Sequence, residues 1–453
     1  MKIRKVISLI ITILIILNLV YLYGCSPKGI KINDNNGNVL ANLSSADIKD
    51  VNLDASYNFA YLDIVVNEAT QIISQIKNID LEQAKDLLIN DGYVIDTYYN
   101  QEIVKSIDLV YKNSVASQYP FGCAITDLNG HIVGAYSSFN NEYENYANIQ
   151  YSPYSALKPL SVYAPAIESN VAYWSKVYED SPYKQITDDN GNLVDWPENA
   201  TNTYANKNIT VFQAVRESLN TVAVKCLNDL GVQNSLEFLT KKLNINLDYE
   251  INKSSNYGDE EVIGNLAMGY LYKGVTPVEM AGYYQIFANG GNYYMPITIT
   301  KLTDSTGKII YENNNEGKQV ISQETSSIMN KLLQGVVDPD GTGADAYCEN
   351  IEIGGKTGTG VANDCHWFVG FDPNYSCAVW HGGDEITNYS PLLFKEIITK
   401  IEVEDDIKFK QDKNINSAVY CLESGKLSTL NCRQIDIGYY SEKSNIDSCE
   451  IHK

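Results

Sequence analysis

The sequence predicts an α+β fold: one sheet opens with a hairpin, breaks for a long helical insertion and closes with three more strands. Three observations carry this. Cys123 to Asp127 and His131 to Ala135 are apolar runs joined through Leu128-Asn129-Gly130, where Asn-Gly supplies the positive φ of a tight hairpin. From Ala156 to Leu302 helical periodicity dominates, with Thr210 as an N-cap and Gly231 as a C-cap. From Ile351 to Gly382 strand patterning returns as Ile351 to Thr359, Trp367 to Phe371 and Cys377 to His381, separated by turns at Asn363-Asp364 and Asp372-Pro373-Asn374.

The rest of the chain is read around that sheet. Lys2, Arg4 and Lys5 precede an apolar run from Val6 to Tyr23, which is a targeting segment and not part of the fold. Gly24-Cys25-Ser26 follows it and resembles a bacterial lipoprotein cleavage site, with Cys25 as the acylated residue; the alternative is an uncleaved signal anchor. Either places the folded part outside the membrane, on the outer face of a bacterial cytoplasmic membrane. Helical patterns near Tyr61 to Ile76, Leu81 to Leu88 and Gln101 to Lys112 surround an alternating stretch from Gly92 to Tyr99 that reads as a strand. The expected organisation is a leader or anchor at 1–25, a small stalk module at 26–91, a catalytic domain at 92–400 and a cysteine-containing tail at 401–453.

The formal charge of −22 excludes nucleic acid as a plausible partner, since that binding relies on Lys and Arg neutralising phosphates. Setting Cys25 aside leaves eight of the nine cysteines, and their spacing shows no zinc pattern. Cys421, Cys432 and Cys449 are expected to include one bridged pair, or else to be scattered buried thiols. There is no Gly-rich phosphate loop, and none of the four histidines sits in a zinc-protease or nucleophile-elbow pattern, so no metal or cofactor is expected. His366, beside Trp367, reads as a core residue.

Three short motifs remain: Ser155-Ala156-Leu157-Lys158, Ser218-Leu219-Asn220 and Lys356-Thr357-Gly358-Thr359. A serine hydroxyl is a poor nucleophile at neutral pH and needs a base beside it. If Ser155 opens a helix, Lys158 lies one turn later on the same face, and its amine can serve once its pKa is lowered. Ser218 and Asn220 fall in a turn between helices, where a hydroxyl can relay a proton and an amide can hold a carbonyl and the lysine. Lys356 continues an apolar strand whose glycines suit close approach by a ligand backbone. With Thr357, Gly358 and Thr359 it can hold a carboxylate, and the N–H groups of Ser155 and Thr359 can form an oxyanion hole. Each motif alone is commonplace; a capped surface helix, a helix cap or an edge strand would explain them one at a time.

In this order, spaced 63 and 138 residues apart, the three resemble the motif set of penicillin-binding proteins and serine β-lactamases. Ser152 to Leu160, Arg216 to Lys225, Gly269 to Gly291, Gly341-Thr342-Gly343 and Asp364 to Gly370 are similar to the transpeptidase domain of class A penicillin-binding proteins, and so is the tail from Cys421 to His452. The resemblance implies a five-stranded, mainly antiparallel sheet flanked by helices, with a helical subdomain. It implies a D,D-transpeptidase that forms an acyl-enzyme on Ser155 with D-Ala-D-Ala stem peptides of peptidoglycan, is trapped there by β-lactams, and uses no cofactor. A carboxypeptidase, or a non-catalytic sensor or scaffold, is the alternative. Class A members also carry a glycosyltransferase domain, whose sequence marks are missing. The expectation is a class A-like chain without that core, working beside a separate glycosyltransferase.

Overall fold

The computed structural model describes residues 29–44, 58–138, 144–188, 190–254, 259–383, 387–402, 404, 406–409 and 414–452. The apolar leader and Cys25 lie outside the described residues, and no described helix is long and apolar enough to cross a membrane.

The described residues divide into two compact units, those within 29–44, 62–99 and 298–314 forming one and those within 58–61, 100–297 and 315–452 the other. In the first, five strands lie in the order Ile309–Glu312, Ile299–Thr303, Val94–Thr97, Ile30–Asn33 and Val39–Leu43. Val94–Thr97 runs parallel to Ile30–Asn33 and antiparallel to Ile299–Thr303. Glu68, on the helix Phe59–Lys77, accepts hydrogen bonds from the Thr298 N–H and hydroxyl, and burial pushes its carboxyl up to about 7. The expected boundary between residues 91 and 92 therefore differs from the observed division: the strand after Gly92 pairs inside this unit. Its partners are distant in sequence on both sides, and such pairing leaves no mark in local patterning.

The second unit contains the predicted sheet. Helix α1 (Gln101–Asn113) precedes the hairpin β1 (Phe121–Asp127) and β2 (Ile132–Ser137), which turns through Gly130 at φ +81°. The insertion includes α2 (Val211–Glu217), α3 (Asn220–Leu230), α4 (Pro277–Tyr284) and α5 (Gln323–Val337). Thr210 and Gln213 form a capping box at the start of α2, and Gly231 ends α3 at φ +86°. The chain then returns as β3 (Gly354–Thr359), β4 (Cys365–Phe371) and β5 (Tyr375–Gly382), followed by α6 (Ser390–Ile401). The sheet order is β3-β4-β5-β1-β2, antiparallel throughout. The insertion is less helical than its periodicity suggests. Val177–Glu179 pairs with Asn208–Thr210, and Lys184–Thr187 with Leu193–Trp196. The second ribbon is exposed or half-exposed at every position, so burial imposes no apolar alternation on it.

Helices cover both faces of the sheet, α1 and α6 on one and α4 on the other, and every residue of β4 is buried. This is why β4 reads as a continuous run instead of alternating. One ring organises the edge that leads to the third motif. A Cβ at Gly355 would lie 2.4 Å from the Phe368 ring, and at Gly370 2.7 Å and Gly343 2.9 Å from it, so three glycines make its socket. Phe394 of α6 meets the same ring edge-on at 4.9 Å. Phe368→Ala should cost about 3–5 kcal/mol of stability, measured as a lowered urea midpoint with an unchanged slope.

Candidate functional site

Tyr154–Leu157 form a single 3₁₀ turn and Pro159–Tyr163 a π-helical turn, before the short α-helical segment Ala164–Glu168. Ser155 thus sits in a tightened turn and not at the start of a regular α-helix. The Lys158 N–H donates to the Ser155 carbonyl, and Tyr154 ahead of it has a left-handed φ of +48°. Neighbours hold this conformation. Tyr151 exchanges backbone hydrogen bonds of 3.0 and 2.9 Å with Val275. The Ser152 hydroxyl donates to the Gly269 carbonyl and accepts from the Leu271 N–H, while the Trp367 indole donates to the Ser152 carbonyl at 2.9 Å. Strand β3 passes close by: a Cβ at Gly358 would lie 2.4 Å from the Pro153 carbonyl oxygen, so glycine is what lets the third motif lie against the first.

Lys158 and Lys356 are both fully buried. The Lys158 amine donates to the Ser218 carbonyl at 2.8 Å and to Asn220 Oδ1 at 2.6 Å, with the Ser218 hydroxyl 3.4 Å away. Lys356 donates to that same hydroxyl at 2.9 Å. Burial, then the neighbouring Lys356 charge, holds Lys158 well below the usual lysine range; burial alone pushes Lys356 down to about 7. Ser218 reaches this position because α2 ends there at a left-handed φ of +61°, and Asn220 is the first residue of α3. Thr357 donates to the Thr342 hydroxyl at 3.0 Å, and Thr359 at the strand's end is exposed. All three motifs therefore meet in one cluster. Cys25 lies outside the described residues, and His366 is a core residue stacked on His381 at 4.6 Å.

A supporting network escaped sequence reasoning. Buried Asn199 accepts the Asn220 N–H at 2.9 Å and the Thr221 N–H at 3.3 Å through Oδ1. Its amide donates to Asp180 at 2.8 Å, and Asp180 also accepts from the Thr221 hydroxyl and, at 2.7 Å, from the Ala205 N–H. The side chain of Asn220 donates to the Glu198 carbonyl at 2.7 Å, which turns its oxygen toward Lys158. These residues lie in the irregular stretch before α3, where no motif or period marks them. A groove of about 430 Å³ opens beside the cluster, lined in part by Leu219, Gly341 and Thr342. Of the two expectations for Cys421, Cys432 and Cys449, the bridged pair is not formed: all three are free thiols, Cys421 and Cys449 buried and Cys432 partly so.

Residues 123–391 match the family model of the penicillin-binding protein transpeptidase domain. Penicillin-binding protein 1A of Clostridium botulinum is 32% identical over 349 residues, covering 74% of this chain and 40% of that protein. The chain thus spans well under two thirds of the length of that relative. Penicillin-binding protein 1A from Haemophilus influenzae superposes with a TM-score of 0.65 at 16% identity, over 85% of this chain and 76% of that one. PonA1 from Mycobacterium tuberculosis in complex with penicillin V superposes at 0.60 with 18% identity, over 78% and 96%. Both share the fold. Because Asn199 satisfies two backbone donors at the start of α3, Asn199→Ala should destabilise the protein by about 1–3 kcal/mol, read as a lowered thermal midpoint.

Proposed function

The chain belongs to the penicillin-binding protein transpeptidase family, and on that premise we propose that it is a serine D,D-transpeptidase acting through an acyl-enzyme on Ser155. The observation that carries this reading is the pair of buried lysines sharing the Ser218 hydroxyl. Two like charges in a dry pocket disfavour each other, so one amine gives up its proton. Lys158, whose amine feels the Lys356 charge on top of its burial, is that one. A neutral amine has two N–H groups and one lone pair; the short bonds to Ser218 and Asn220 use the former and leave the latter for a proton.

In the proposed cycle, Lys158 takes the Ser155 proton as Oγ attacks the carbonyl of the penultimate D-alanine. The N–H groups of Ser155 and Thr359 stabilise the oxyanion, at about 3–4 kcal/mol per donor. The C–N bond then breaks, the leaving amine receives its proton through Ser218, and terminal D-alanine departs. A stem-peptide amine attacks the ester, its proton passes to Lys158 and from there to Ser155 Oγ as the C–O bond breaks, which regenerates the hydroxyl and the neutral amine. Lys356, still charged, holds the terminal carboxylate with Thr357 and Thr359, and the peptide backbone adds to the outer edge of β3 beside Gly358. A β-lactam acylates the same serine without a departing fragment. Water as the acceptor would make the protein a carboxypeptidase, which product analysis with and without an added amine distinguishes. Tethering by a lipid on Cys25 or by an uncleaved anchor, and work beside a separate glycosyltransferase, complete the proposal.

Intact mass spectrometry after penicillin exposure should show one adduct, mapping to Ser155 and absent in Ser155→Ala; an adduct that persists in that variant overturns the reading. Followed against pH, acylation should fall on the acid side as Lys158 becomes protonated, at a pH far below the usual lysine range. It should fall again on the alkaline side near about 7, as Lys356 loses the charge that holds the carboxylate. Lys356→Gln should remove that alkaline limb and lower the rate throughout, whereas a flat wild-type profile would exclude the two-lysine mechanism.

A further inference from the structure

The C-terminal ribbon, β6 (Ile415–Cys421) and β7 (Ile435–Ser441), carries a cluster that acyl transfer does not use. At the end of β6 the chain folds back through Gly425, at φ +69°, whose N–H donates to the Cys421 carbonyl at 2.8 Å. The Cys432 N–H donates to the Thr429 carbonyl at 3.2 Å, and the Cys449 N–H to the Leu427 carbonyl at 2.7 Å. These turns bring Cys421, Cys432, Cys449 and His452 together, with one ligand atom from each lying within 4.8 Å of the others. The Cys421 and Cys449 side chains are buried.

Three features of this cluster belong to a metal centre. The first is spacing. His452 Nδ1 lies 3.5 Å from Cys421 Sγ and 3.6 Å from Cys449 Sγ. A tetrahedral zinc ion holding sulfur at about 2.3 Å and nitrogen at about 2.0–2.1 Å sets those atoms about 3.6 Å apart. The second is the imidazole's orientation. Its Nε2 is 3.0 Å from a Glu423 carboxylate oxygen, which fixes the proton there and turns the Nδ1 lone pair toward the thiols. The third is the set of donors aimed at sulfur. The Thr429 N–H donates to Cys432 Sγ at 3.3 Å, and the Thr429 hydroxyl lies 3.5 Å from the same sulfur. Such donors stabilise thiolates, whereas neutral buried thiols need none.

We propose that Cys421, Cys432, Cys449 and His452 form a closed Cys₃His site for zinc(II). On binding, the three thiols release their protons to solvent as the zinc–sulfur bonds form, and neutral His452 supplies the fourth ligand. Four protein ligands leave no open position, so the site is structural. It locks a two-stranded ribbon that is marginal by itself. That ribbon rests on the nucleophile domain: Ser175 donates to the Gly425 carbonyl at 2.6 Å, and Tyr440 donates to the Ser175 hydroxyl at 2.9 Å. Trp174 stacks on Phe212 of α2 at 4.7 Å and meets Tyr439 edge-on at 5.1 Å, and α2 is the helix that ends at Ser218.

The test uses the full chain, purified under reducing conditions in detergent without chelator. Elemental analysis should find about one zinc per chain, and a cobalt(II)-substituted sample should show thiolate-to-metal charge transfer. Both should be lost in Cys432→Ser and Cys449→Ser and kept in Cys348→Ser, whose thiol lies outside the cluster. Glu423→Gln should fold normally and weaken zinc about 10–100-fold, which keeps the test decisive if the cysteine variants do not fold. Stripping with a high-affinity chelator should lower the thermal midpoint, and zinc should restore it. Metal-free protein with reduced thiols and an unchanged midpoint overturns the proposal, as does an intact mass lighter by two hydrogens from a disulfide within the cluster.

Discussion

Two lysine amines compete for the charge that one buried pocket will hold, and much of the surrounding second unit keeps them there. Neither Lys158 nor Lys356 has a carboxylate partner among the described hydrogen bonds and ion pairs, and both are fully buried. Their acceptors are the carbonyl and hydroxyl of Ser218 and the amide oxygen of Asn220, which solvate an amine without pinning its proton. A carboxylate in the same place would raise the lysine pKa and abolish the basicity that burial creates. Among the described residues, the lack of acidic groups in this contact set therefore matters to the proposed chemistry as much as the lysines themselves.

Burying two amines costs several kcal/mol unless the surroundings are rigid enough to keep their acceptors in place. The rigidity has two sources. One is the sheet: β3 lies so close to the Tyr154–Leu157 turn that only glycine fits at 358, and the Phe368 ring in its glycine socket holds the edge at 355. The other is the start of α3, where Asn199 takes up helix-terminal N–H groups that would otherwise be unpaired in the interior, and Asp180 holds the Asn199 amide in place. Ser218 lies between these two supports at a left-handed φ, a conformation sustained only where the surroundings fix it.

Much of this was legible in the residues. The hairpin at Asn129-Gly130, the caps at Thr210 and Gly231 and the five strands all follow from local rules, because each turn or cap chemistry acts within a few residues. The three motifs were legible by type and order, and the structure brings them together. What stayed hidden depends on distant pairing. Val94–Thr97 reads as a strand, but nothing local says that its neighbours are Ile30–Asn33 and Ile299–Thr303. Asp180 and Asn199 are ordinary polar residues until α3 is placed over them.

The C-terminal cysteines show the same limit in another form. Counting thiols in an exported chain points to disulfides, because oxidation is the commonest fate of paired cysteines there. Ligand spacing points away from zinc, since only Cys449 and His452 are near each other in sequence, while Cys421 and Cys432 each contribute from a separate turn. Both rules assume that ligands arrive in local pairs. Here the ribbon does the pairing: β6 and β7 set Cys421 and Cys432 side by side, and the bond from the Cys449 N–H to the Leu427 carbonyl carries the last two ligands in. A carboxylate behind the imidazole and the Thr429 N–H behind the Cys432 sulfur are what separate this arrangement from a chance meeting of thiols, because the first presents Nδ1 to the thiols and the second favours a thiolate.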